Sequence, residues 1–173
     1  ARLGQAAAIA LDADHPQARI IPDAFHMYIG ESGFNGLRRL QGDFIAIFQF
    51  NDAPSSPSRS DLEDKHRVFP GDGILPLEQC LRDLRDIGFE RCVSLELYNP
   101  GYWKRNPLEV AKEGRRKTLA HGTPVHTVAR RFDQTRNKRT LHQALGVDHC
   151  IVMLALQRTA RPVPFMPAKI TQR

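Results

Sequence analysis

The feature that most constrains this chain is the return of strand-length apolar runs separated by helix-length amphipathic segments. Residues 44–50, Phe-Ile-Ala-Ile-Phe-Gln-Phe, and residues 92–98, Cys-Val-Ser-Leu-Glu-Leu-Tyr, are apolar at nearly every position. Such runs suit strands covered on both faces, the condition of parallel sheets. Between them, Leu77, Cys80, Leu81, Leu84 and Ile87 fall at helical spacing and form one apolar face, with Pro76 opening the helix and Gly88 stopping it. Residues 20–28 read as a third buried strand with polar residues near its exit, and the Ala-rich residues 3–12 as a helix ending near Asp14-His15-Pro16. Residues 34–40 read as a short helix broken at Gly42. Asn106-Pro107 reads as the cap and first residue of a last helix over about residues 107–119. Alternating helices and strands predict an α/β fold with parallel strands, either a doubly wound sheet or a (β/α)8 barrel. No GxGxxG or phosphate-loop pattern follows any strand, which counts against nucleotide binding.

Charge divides the chain in two. Residues 1–120 hold 16 basic and 17 acidic side chains, net −1, whereas residues 121–173 hold 9 basic and 2 acidic, net +7. The basic balance therefore belongs to the tail, and a nucleic-acid reading drawn from whole-chain charge is misplaced. The tail, residues 121–173, has scattered Arg and Pro with no clean period and is expected to be irregular, with residues 1–120 forming the folded body. The three cysteines, Cys80, Cys92 and Cys150, make no CxxC pair of the zinc-knuckle kind. No run reaches membrane-span length and no secretory leader is visible, so a cytoplasmic location is expected.

Three of the runs end in polar groups that a buried strand does not need: Asp23 and His26, then Gln49, Asn51 and Asp52, then Glu96. In parallel α/β folds the strand C-terminal ends converge on one face, where ligands bind. Asp23, Gln49 and Glu96 are oxygen donors suited to a hard divalent cation. A carboxylate within a buried strand, as at Glu96, is costly unless paired or metal-bound. Arg67, before the turn-forming Pro-Gly-Asp-Gly run at 70–73, is either a surface-loop residue or a clamp for an anion or hydroxyl.

In their order, Asp-Ala-Phe-His, Phe-Gln-Phe-Asn-Asp, His-Arg-Val-Phe-Pro-Gly-Asp-Gly and Ser-Leu-Glu-Leu-Tyr-Asn-Pro resemble the xylose isomerase-like TIM barrel superfamily, closest to its sugar phosphate isomerase/epimerase branch, over about residues 5–120. The resemblance implies the C-terminal three βα units of a (β/α)8 TIM barrel, a partial barrel followed by the basic tail. It implies Asp23, Gln49 and Glu96 as metal ligands on strands six, seven and eight, with Gln49 standing where many members carry His. Glu96 would also act in catalysis as acid or base. His26 would be a catalytic and substrate-binding residue, and Arg67 would bind substrate. The cofactor would be Mn2+ or Mg2+, with Co2+ or Zn2+ as alternatives. The substrate would be a sugar or sugar phosphate, isomerised or epimerised by proton transfer through an enediolate. An inosose dehydratase-like lyase is the alternative, with an endonuclease IV-like repair enzyme or a polyanion-binding module ranked lower. A further ligand, a Glu on strand five, would lie upstream of residue 1. Three strands cut from a barrel expose two edges, so self-association through those edges is expected.

Overall fold

A computed structural model describes residues 2–122. The elements are α1 (Leu3–Asp12), α2 (Ala24–Ile29), β1 (Ile47–Gln49), α3 (Leu77–Asp86), β2 (Cys92–Ser94), α4 (Pro100–Trp103) and α5 (Pro107–Ala120), with four single 3₁₀ turns between them. The tail expected to be irregular lies, from residue 123, outside the described residues.

Strands β1 and β2 pair in parallel, with Ile47 opposite Cys92, Phe48 opposite Val93 and Gln49 opposite Ser94. The segment leading to α2 lies along the other edge of β1 through parallel bridges from Ile20 to Ile45 and from Asp23 to Gln49. Three chain segments thus run side by side in sequence order, as the alternation predicts. The apolar runs are longer than the strands they form. Of residues 44–50, Phe44 belongs to a 3₁₀ turn, and β1 proper covers three residues.

Residues 20–28 are not a single strand: Ala24–Ile29 is helical, and Asp23 is its N-cap, its Oδ1 accepting from the His26 backbone N–H at 3.0 Å. A short acceptor side chain here satisfies a donor that the first helical turn leaves open, so the chain turns at Asp23 instead of extending through it. His26 consequently sits on a helix. The segment over residues 34–40 is similarly reduced to a 3₁₀ turn at Leu37–Arg39.

The helices form where the pattern places them. In α3, Leu77, Cys80, Leu81 and Leu84 are all buried. The Asn106 side chain accepts from the backbone N–H groups of Leu108 and Glu109, with Pro107 in the first turn of α5. Phe48, Phe50, Val93, Leu95 and Leu97 are buried in the two apolar clusters. Ile47, Gln49 and Glu96, at the intervening positions, are only half-buried, and Ile21 is 54% exposed. The sheet therefore has one face closed by apolar packing and one face open. Helix α5 approaches the segment just after β2 closely at Gly114, where an added Cβ would meet Leu95 Cδ2 at 2.4 Å.

Cys80 is a free cysteine in this core. Burial, helped by the nearby charge of Asp83, pushes its thiol up to about 12. The thiolate is the reactive form. Cys80 should therefore resist iodoacetamide at pH 8 in the folded chain and be modified once urea is added, as read by peptide mass spectrometry. Equal labelling in both conditions would contradict this packing.

Candidate active site

The polar strand exits meet on the open face. Asp23, 4% exposed, ends the first segment and is positioned by its capping role on α2. Asn51, fully buried, lies two residues beyond Gln49 and joins two of the candidate groups. Its Nδ2 donates to Asp23 Oδ1 at 3.1 Å, and its Oδ1 accepts from the Glu96 backbone N–H at 3.0 Å. One amide thus fixes the spacing of the first and third segments across the second.

Arg67 is the hub. Its side chain is 1% exposed, and the guanidinium lies over the rings of Phe25 and Tyr98, 4.9 and 5.5 Å from their centroids. Nη1 donates to Asp23 Oδ2 at 2.6 Å and stands 3.8 Å from Glu96 Oε2. Nε and Nη2 both donate to Asp64 Oδ1, at 3.0 and 2.8 Å. Nη2 is also 2.9 Å from His26 Nε2. A guanidinium has donors only, so Nε2 is the acceptor in that contact and the imidazole carries its proton on Nδ1. Burial by itself would pull the guanidinium down, but Asp23 and Asp64 together hold it above its ordinary value. It is a permanent cation in this setting.

Glu96 is half-buried, its side chain 21% exposed. Tyr98 OH donates to Oε1 at 2.9 Å. That hydrogen bond, with some burial and the carboxylate charge, raises the phenol above its ordinary value, so it remains a donor through the neutral range. Oε2 is left facing Arg67 and the open side. Asp52 does something different. It is 2% exposed, and its carboxylate accepts backbone N–H groups from Ala53, Gly71, Gly73 and Leu75, which closes the loop carrying Arg67.

A family model described as xylose isomerase-like TIM barrel matches residues 1–121. The chain belongs to this family. Among curated relatives, an inosose isomerase of Bacillus licheniformis is 31% identical over 115 residues, 66% of this chain and 41% of the relative. An inosose isomerase of Bacillus subtilis is 32% identical over 58% of this chain and 36% of its own length. A 3-dehydroshikimate dehydratase of Pseudomonas putida is 31% identical over 62% of this chain and 17% of the relative. The chain therefore spans less than half the length of each. Among solved structures, that of IOLI protein with a binding zinc atom superposes with a TM-score of 0.65 at 29% identity, over 69% of this chain and 43% of that one. A xylose isomerase domain protein of Salmonella typhimurium, at 15% identity and a TM-score of 0.59, shows the same fold.

Of the residues singled out in the sequence of this TIM barrel chain, Asp23, His26, Arg67 and Glu96 are brought into one connected cluster. Gln49 lies on β1 between Asp23 and Ser94, through its pairings with both. Among the described residues, no group of three His, Cys, Asp or Glu side chains could hold a metal ion by itself. Asp23 and Glu96 nevertheless present two hard oxygen donors to the Arg67 guanidinium, and Gln49 stands on the strand between them. Two carboxylates and an amide are donor types that a hard divalent ion accepts. No helix among the described residues is long and apolar enough to cross a membrane.

Asn51, Asp64 and Tyr98 acquire roles that the sequence reading did not assign them. For Asn51 and Tyr98 a signal existed. Each stands two residues after a candidate site residue, Gln49 and Glu96, and therefore on the same side of an extended segment.

Proposed function

We propose that this chain supplies the last three strands of an eight-stranded barrel enzyme. That enzyme would use a divalent metal ion to move a proton beside the carbonyl of a cyclic polyhydroxy ketone of the inosose type. The observation that carries this is the convergence of the Asp23 and Glu96 carboxylates on a single cation, Arg67 Nη1, on the open face of the sheet. The relatives named inosose isomerase support the substrate class. The relative with a binding zinc atom supports the metal.

Asp23 Oδ2, Glu96 Oε2 and the Gln49 amide oxygen would hold the ion, with a fourth ligand from the strand five position that the family supplies. A divalent ion bound there supplies Lewis acidity that stabilises negative charge on a substrate oxygen. Glu96 is the group assigned to proton transfer. Tyr98 donates to Oε1 and so fixes how the carboxylate is turned on this face. His26 and Arg67 border the same face. Returning the proton to a neighbouring carbon isomerises the ketone, whereas loss of a β-hydroxyl dehydrates it. The dehydratase relative from Pseudomonas putida keeps the second outcome open as a second reading.

The test is solvent-deuterium exchange beside the carbonyl of an inosose, followed by NMR with Mn2+ present, in the protein that carries this chain. Glu96→Gln should slow exchange by about 10²–10⁴-fold, the range general acid–base groups contribute. Exchange at the unsubstituted rate would remove Glu96 from proton transfer. The product, an isomeric ketone or an alkene, separates the two readings.

A further inference from the structure

Arg67 has more partners than a substrate clamp needs. One guanidinium meets Asp23, Glu96, Asp64 and His26, and two aromatic rings lie against it. Its side chain is 1% exposed while that of Asp64 is 51% exposed, so the cation joins a buried carboxylate to a surface one.

We infer that the Arg67 guanidinium is the built-in counter-cation of the Asp23–Glu96 pair, and that it competes with a divalent metal ion for those two carboxylates. The inference deepens the metal reading above and rests on it. Asp23 Oδ1 is committed to the Asn51 amide and the His26 backbone N–H. The oxygen left for a metal is Oδ2, which Arg67 Nη1 holds at 2.6 Å. An ion held by that oxygen and by Glu96 would compete for the place between the two carboxylates that Nη1 now takes. Two positive charges in that place repel strongly in a poorly solvated site, so one must give way. The cluster provides a route. Nε and Nη2 already grip Asp64 Oδ1, about which the guanidinium can pivot while keeping a paired carboxylate.

The experiment measures Mn2+ alone binding to the full-length chain at pH 7.5 by calorimetry, for the unsubstituted protein, Arg67→Gln and Arg67→Lys. Arg67→Gln should melt at a lower temperature without metal and bind Mn2+ at least about tenfold more tightly. Arg67→Lys, which keeps the charge, should gain less than Arg67→Gln. Equal or weaker binding by Arg67→Gln would overturn the competition while leaving the metal reading intact. No binding by any of the three proteins would overturn both. Should Arg67→Gln fail to fold, the unsubstituted protein gives the answer by NMR of its arginine Nε–H groups with Mg2+. The Arg67 signal should move or vanish on saturation. An unmoved signal in a protein that binds Mg2+ by calorimetry would overturn the proposal.

Discussion

Asp23→Ala should cost about 3–5 kcal/mol of folding stability, the range for removing one partner of a buried ion pair. Asp23 and Arg67 are both nearly inaccessible, and Nη1 has no other contact as short as the 2.6 Å bond to Oδ2. Without that carboxylate, the nearest acceptor for Nη1 is Glu96 at 3.8 Å, beyond hydrogen-bond range. The same substitution removes the cap of α2 and an acceptor for Asn51, adding about 1 kcal/mol for the cap. Asp23→Asn should be milder. An amide oxygen in the Oδ1 position can still take the His26 N–H and the Asn51 Nδ2, so the cap survives, but the amide N–H2 then meets Arg67 Nη1 donor against donor. Urea unfolding midpoints measure both. Losses come out of a total of about 5–15 kcal/mol for an ordinary domain, so Asp23→Ala should leave a visibly fragile protein. An Asp23→Ala midpoint within about 1 kcal/mol of the unsubstituted chain would mean that Asp64 alone can compensate the buried guanidinium.

That prediction depends on Asp23 being two things at once, and the sequence displayed only one of them. As an acidic residue closing an apolar run, Asp23 was visible as a site candidate. As an N-cap it also ends the strand, and the run Ala-Phe-His-Met-Tyr-Ile beyond it is helical although its residues are apolar or aromatic enough to read as extended. Short apolar runs carry no period that separates helix from strand. By contrast, α3 and α5 were legible to within a residue or so. Their signals are local: an apolar face at helical spacing in one, and Asn-Pro at the start of the other.

The cluster itself was half legible. Asp23, His26, Arg67 and Glu96 stand out singly because each is a polar group where an apolar fold would not place one. Their connections did not stand out. Asn51 reaches Asp23 across 28 residues and Glu96 across 45. Contacts of that separation are set by the side-by-side course of three segments and leave no periodic trace in any one of them. Arg67 shows the same limit. Its turn-rich surroundings left both a surface-loop residue and an anion or hydroxyl clamp open, and the structure removes the first by burying it between Phe25 and Tyr98, residues from two different segments.

Asp52→Asn should destabilise the chain nearly as much as Asp52→Ala, by about 4 kcal/mol, at the upper end for a single substitution. The near-equality is the informative part. Asp52 Oδ1 accepts from Ala53 and Leu75 at 2.9 Å, and Oδ2 accepts from Gly71 and Gly73 at 3.0 and 3.1 Å. All four partners are backbone donors. An amide can present oxygen to one pair only, and must then turn its own N–H2 toward the other, donor against donor. A buried N–H left unsatisfied costs about 1–3 kcal/mol. Relaxation has little room. An added Cβ at Gly73 would stand 2.2 Å from Ala53 O and 2.4 Å from Asp52 Oδ1, so the backbone already lies against the carboxylate. The loss would reach the site as well. Asp52 pairs with Val68 through N–H to O bonds of 3.1 Å in both directions, and Arg67 is the next residue along. Amide exchange at Gly71, Gly73 and Val68 should therefore accelerate in Asp52→Asn well before global unfolding, with α3 still protected. If Asp52→Asn keeps the midpoint and the slow exchange of the unsubstituted chain, the carboxylate is not what closes this loop. The rigidity that seats Arg67 would then have to come from the Phe25 and Tyr98 rings and from Asp64.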